Sequence, residues 1–225
     1  MKPLTETLKS RAETEKLFVP YIMAGAQGLD KLEEEIAMLV EQGAAAIELG
    51  VPFSDPVADG PTIQAAGLRA FAQQVTLKKL VEKLQEIRSV APFILMGYSN
   101  SFFHYGIKEL VEDLEGTDVQ GFIIPDLPYE HQELVTPDLG DMALLTLISL
   151  TSPTERIEQL AAEAEGFIYA VTVNGITGTD QQFRTDLMEH LAKVKAVSDI
   201  PVLAGFGIST SEQVKKFQQV CDGVV

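Results

Sequence analysis

Two carboxylates stand out as residues that could do chemistry. Glu48 interrupts the apolar run Ala44-Ala45-Ala46-Ile47-Glu48-Leu49-Gly50-Val51, with no basic residue close by in sequence. Burial in such a run disfavours the charged form and raises a carboxyl pKa. A buried carboxylate more often pairs with a distant Lys or Arg than it catalyses. The neighbouring segment tips the reading towards function: Pro52-Phe53-Ser54-Asp55-Pro56-Val57-Ala58-Asp59-Gly60-Pro61-Thr62 is a long polar connector, and long loops between a strand and a helix usually carry function. Taken alone, Asp59-Gly60-Pro61 reads as a turn with a helix cap, Pro61 being the first helical residue. Taken with Glu48, it supplies a second carboxylate in a different setting, and unlike settings can split acid and base roles.

Two further segments invite a ligand. Gly205-Phe206-Gly207-Ile208-Ser209 ends one apolar run and opens a helical one, so its N–H groups and the helix dipole could receive a phosphate dianion. Tight strand-to-helix packing would want the same glycines. Asn174-Gly175-Ile176-Thr177-Gly178-Thr179-Asp180 has two glycines and reads as a hinged lid or as an ordinary loop. His104, His131 and His190 are scattered without ligand spacing, and Cys221 has no neighbouring His, so neither zinc nor a thiol nucleophile is indicated. Nor does a phosphate-loop or dinucleotide fingerprint occur.

The elements that must hold these residues alternate. Short apolar runs at 17–24, 45–51, 93–97, 120–124, 143–150, 167–173, 202–204 and 223–225 are strand candidates, eight in all. Between them lie helical stripes: Leu32, Ile36, Leu39 and Val40; Leu77, Leu80, Val81 and Leu84; Ile107, Leu110, Val111 and Leu114. Asp30, Ser152 and Ser209 stand at capping-box distance before Glu33, Glu155 and Glu212, while Gly43, Gly116 and Gly166 sit where helices should stop. Nearly continuous apolar strands mean both sheet faces are covered, as in a parallel sheet. Eight such strands without reversal predict an α/β fold, a (β/α)8 TIM barrel, rather than an open doubly wound sheet. The eighth strand is cut off at Val225 with no eighth helix after it, so the barrel is expected to be C-terminally incomplete. In such a barrel the site lies at the C-terminal ends of the strands.

Composition bounds the rest. A chain of 225 residues, 46% hydrophobic and 22% charged, can close one sizeable core, and residues 1–225 are read as a single domain. Disorder, collagen and coiled coil are excluded. The balance of 33 acidic to 17 basic residues gives a net charge of −16, which repels nucleic acid and anionic lipid. An anionic metabolite would have to be held by local dipoles against that field. One cysteine cannot form an internal disulfide. With no signal-peptide pattern and no apolar run of membrane-spanning length, a cytoplasmic location is expected.

The segment from Glu48 to Gln64, together with Leu17-Phe18-Val19-Pro20-Tyr21, Pro125-Asp126-Leu127-Pro128, Gly175-Ile176-Thr177-Gly178 and Gly205-Phe206-Gly207-Ile208-Ser209, resembles the tryptophan synthase alpha chain family over nearly the whole length. The resemblance implies a TIM-barrel lyase that cleaves indole-3-glycerol phosphate to indole and glyceraldehyde 3-phosphate, a retro-aldol reaction needing neither metal nor cofactor. It makes Glu48 the general acid/base and Asp59 the acceptor of the indole N–H. Tyr21 and Met96 would line the indole pocket with Tyr98 behind them and Tyr169 beside Glu48. Thr177 would meet Asp59 on lid closure, with Gly178, Phe206 and Gly207 at the substrate and its phosphate. Val173 departs from the arginine common in relatives. The missing loop after strand eight would weaken phosphate binding and turnover. The resemblance also implies a beta-chain partner in an alpha2-beta2 complex, facing the loop of Asp55 and the segments near Asn100 and Pro128, with pyridoxal phosphate only in that partner. Two alternatives remain at this point: a catalytically weak module that acts on the partner, and a sibling phosphate-binding barrel isomerase, which would want a catalytic Lys or Cys at a strand end.

Overall fold

The computed structural model describes residues 1–172, 187–205 and 207–225. In chain order the elements are α1 (Pro3–Ala12), β1 (Leu17–Phe18), β2 (Tyr21–Met23), α2 (Leu32–Glu41), β3 (Ile47–Gly50), α3 (Pro61–Ala72), α4 (Leu77–Glu86), β4 (Phe93–Met96), α5 (Ser99–Tyr105) and α6 (Ile107–Asp113). Next come β5 (Val119–Ile123), two short 3-10 turns (Tyr129–Leu134 and Thr136–Asp138), β6 (Ala143–Ile148), α7 (Thr154–Ala162), β7 (Glu165–Val171), α8 (Leu187–Val197), β8 (Val202–Gly205), α9 (Ser211–Phe217) and β9 (Gly223–Val224).

The first strand candidate is thus two short strands. Pro20 separates them because it has no N–H to give to a ladder, yet the chain stays extended and bonds on both sides. Val19 N–H donates to the Val224 carbonyl at 3.0 Å, and the Pro20 carbonyl accepts from Glu48 N–H at 2.9 Å. All pairings are parallel, in the order β1-β9-β8-β7-β6-β5-β4-β3-β2. The two ends of that order are the two halves of one segment, so the sheet closes on itself as the expected TIM barrel. β9 pairs with both β8 and β1.

Alternation along the strands sorts the core into two layers. Ile47 and Leu49 pack outward with the buried Leu80, Val81 and Leu84 stripe of α4, whereas Ala46, Ile94, Ile123, Leu145, Phe167 and Leu203 fill the barrel. Helix α1 was among the elements not foreseen. Helix α1 closes the N-terminal end of the barrel, with Leu4 and Leu8 fully buried in the interior cluster.

Three local expectations are corrected. Gly43 and Gly116 follow α2 and α6 at φ of +85° and +75°, as expected, but Gly166 does not end a helix. It lies inside β7 at φ +69°, where the β6–β7 register shifts, and its N–H donates to Thr5 Oγ1 of α1 at 2.7 Å. Helices α2 and α7 begin after Lys31 and Pro153, neither with a side-chain cap, so Asp30 and Ser152 do not cap them. The capping box of α9 is Thr210 with Gln213, one residue beyond Ser209 and Glu212.

Candidate active site

Glu48 lies in β3 directly beside Tyr21 of β2 and Ile94 of β4. It shares the inward face of Ala46, so its carboxyl points into the barrel. It is fully buried, and neither oxygen has a hydrogen-bond partner among the described residues. Desolvation alone pushes its pKa up to about 8, so the carboxyl is mostly protonated at neutral pH. The distant Lys or Arg that would have made it structural is absent among the described residues.

Two tyrosines close over it. Tyr21 lies across Gly50 so tightly that a side chain at Gly50 would collide with its hydroxyl, and Tyr169 of β7 covers Gly205 in the same way. Burial raises the pKa of both phenols, reinforced for Tyr21 by Asp59 and Glu48 and for Tyr169 by Glu48 and Tyr21. Both rings stay neutral and put polar edges around the buried carboxyl.

Asp59 sits on the loop between β3 and α3 and is not a helix cap. The N-cap of α3 is Gly60, without a side-chain cap, and Pro61 opens the helix as expected. The half-buried Asp59 carboxyl is raised by desolvation and held down by the Tyr98 hydroxyl. Tyr98 follows β4, stacks on Phe53 with ring centroids 4.9 Å apart, and accepts a 2.8 Å hydrogen bond from Ala58 N–H.

A cavity of about 630 Å³ opens at this end of the barrel, lined by Tyr21, Asp59, Met96, Tyr169 and Gly207 among others. It therefore gathers five of the residues read from the sequence. Glu48 lies beneath its floor and Tyr98 behind its wall. Thr177, Gly178, Phe206 and Val173 fall outside the described residues. Lining residues not singled out from the sequence include Phe18, Pro20, Thr62, Ile63 and Val214; the first four lie in segments that carry the family resemblance.

On the far side of the cavity, Gly207 turns at φ +70° before Ile208 and Ser209. The N–H groups of Ser209 and Thr210 both donate to Gln213 Oε1, at 2.8 and 3.0 Å. These two amides are thus engaged by the helix's own cap, so that within the 205–209 segment read as an anion cradle the Ser209 N–H is already hydrogen-bonded.

Other chemistries find little support. No group of three or more His, Cys, Asp or Glu among the described residues is arranged to hold a metal ion. Burial pushes the Cys221 thiol up to about 12, away from nucleophilic use. No described helix is long and apolar enough to cross a membrane.

Comparison with known proteins agrees with this geometry. A family profile described as "Tryptophan synthase alpha chain" matches residues 8–225. The chain is 54% identical over 226 residues to the tryptophan synthase alpha chain of Listeria welshimeri, spanning 99% of this chain and 88% of the relative. It is 51% identical to that of Streptococcus gordonii, spanning 99% and 89%. Among solved structures, tryptophan synthase subunit alpha from Campylobacter jejuni superposes with a TM-score of 0.83 at 31% identity, covering 94% of this chain and 86% of that one. The subunit from Legionella pneumophila gives 0.87 at 30% identity, covering 100% and 85%. The chain belongs to the tryptophan synthase alpha chain family, lyases that cleave indole-3-glycerol phosphate in tryptophan biosynthesis.

Proposed function

We propose that Glu48 is the general acid/base of the cleavage and Asp59 the electrostatic partner of the indole N–H. The reaction breaks the bond between indole C3 and the glycerol chain. C3 must gain a proton, the adjacent hydroxyl must lose one to become the aldehyde, and positive charge on the ring nitrogen must be stabilised. Protonated Glu48 gives its proton to C3; the carboxylate so formed takes the hydroxyl proton as the bond breaks, and ends as it began. Asp59, ionised at the cavity edge, accepts the indole N–H and holds the charge there.

The observation that carries this reading is a fully buried carboxyl without a hydrogen-bond partner, facing into the barrel under a cavity that Asp59 lines. A structural carboxylate would be paired. Glu48 covers both proton transfers and Asp59 the charge on the ring, so the proposed cycle uses no metal or cofactor. The apolar Met96 and the Tyr21 and Tyr169 rings suit a flat heteroaromatic ring, and Gly207 suits the phosphate end, with Thr177, Gly178 and Phe206 assigned there by family likeness. The family works with a beta subunit, and an alpha2-beta2 assembly with pyridoxal phosphate in the beta chain is part of the same proposal.

The test is indole release from indole-3-glycerol phosphate. Glu48→Gln is expected to abolish turnover while calorimetry still detects substrate binding, and Asp59→Asn to lower turnover by roughly 10²–10³-fold. Wild-type turnover in Glu48→Gln would overturn the assignment.

A further inference from the structure

We propose that Tyr98 is a positioning residue for the reaction, holding Asp59 in place without touching substrate, and that Asp126 in turn fixes Tyr98. This rests on the assignment of Asp59 as the electrostatic partner of the indole N–H.

The chain of contacts is short. The Tyr98 hydroxyl accepts the Ala58 N–H at 2.8 Å, one residue before Asp59. Having accepted there, it keeps its own proton for the Asp59 carboxyl, which it faces. Its ring cannot drift, because it is buried and stacked on Phe53 of the same loop. One aromatic side chain thus pins loop 51–60 at Phe53 and at Ala58, immediately before the Asp59 carboxylate.

Tyr98 is itself tied down at the next residue. Ser99 N–H and Ser99 Oγ donate to the two oxygens of Asp126 at 2.8 and 2.7 Å, joining the start of α5 to the end of β5. The clamp adds to the Ser101 N–H bond on the Tyr98 carbonyl at 3.0 Å and the Gly97 N–H bond on the Ile123 carbonyl at 3.1 Å. Tyr98 is 4% exposed, and the described residues that line the cavity do not include it.

The groups that face Asp59 among the described residues are Tyr98, after β4, and Tyr21, on β2; Glu48 on β3 stands beside Tyr21, and Asp126 faces Tyr98. Among the described residues, Tyr98 is the group that donates to the Asp59 carboxyl and favours its charged form. Losing that donor raises the Asp59 pKa, so the acid limb of the activity profile moves to higher pH. A residue of purely structural importance would leave that limb in place.

The experiment measures indole release by the full chain across pH for Tyr98→Phe, Asp126→Asn and Asp59→Asn. Tyr98→Phe keeps the ring and its stacking; it is expected to lower kcat about tenfold with little change in KM, and to displace the acid limb upward. Asp126→Asn should shift both in the same direction by a smaller factor, and carries the test alone if Tyr98→Phe does not fold. Wild-type kcat and an unmoved acid limb in the folded variants, with Asp59→Asn inactive, would overturn the positioning role only. Full activity in Asp59→Asn would overturn the reading of Asp59, and this inference with it.

Discussion

The two ends of the barrel follow opposite rules. At the N-terminal end α1 drives Leu4 and Leu8 into the interior, and polar groups find partners: Thr5 takes the Gly166 N–H, Arg11 reaches the Ala44 carbonyl at 3.1 Å, and Asp222 accepts from Val202 N–H while meeting Lys195 at 2.7 Å. At the C-terminal end a cavity is left open, and a carboxyl beneath it is buried with no hydrogen-bond partner among the described residues. The same strands run through both ends. The contrast teaches that the closed end supports the fold, while the open end keeps a carboxyl protonated in a way that water or a salt bridge would abolish.

The contrast can be broken from either side. The largest effect is expected at the open end, where Glu48→Gln should cost roughly 10³-fold or more in turnover, read by indole release, without loss of the folded state. At the closed end Leu8→Ala should do the reverse: about 2–5 kcal/mol of stability lost in urea unfolding, with the residual folded protein still active.

The pH dependence sharpens the comparison further. The folded-state pKa of Glu48, about 8, lies above the ordinary value of 4.5. Its stabilising contribution is therefore fully present below the unfolded value and is lost as pH rises through the folded one. Glu48→Gln carries no such penalty at alkaline pH. It should match wild type near pH 4 and exceed it near pH 9 by an amount on the order of 4 kcal/mol, measured by urea midpoints at both pH values. The smallest expected effect returns to the closed end. Thr5→Val orphans the Gly166 N–H and should cost roughly 1–3 kcal/mol, with Thr5→Ser restoring much of it.

How much of this the sequence revealed also differs between the two ends. The alternation of apolar strands and striped helices was legible, and so was Glu48, because a lone carboxylate in an apolar strand stands out against its neighbours. The long loop after it exposed Asp59. The plug was not legible: Pro3–Ala12 carries Leu4 and Leu8 among charged residues, and their partners lie far along the chain. Gly166 was misread for the same reason. Its local surroundings look like a helix stop, whereas its positive φ serves a strand irregularity and a contact with Thr5, 161 residues away. The cap of α9 was displaced by one residue because Ser209 and Thr210 are equally good caps in sequence, and the reach of the Gln213 amide decides between them. Likewise the Ala58 N–H bond to the Tyr98 hydroxyl was not legible, because it joins residues 40 positions apart.

The central claim is that Glu48 waits in its protonated form, shielded from water and from every cation among the described residues. Selective 13C labelling of glutamate carboxyls, with the Glu48 signal assigned through Glu48→Gln, follows its titration directly by NMR. The account predicts a midpoint near pH 8 for that one signal. A Glu48 midpoint in the ordinary carboxylate range, at about 4.5, would contradict it.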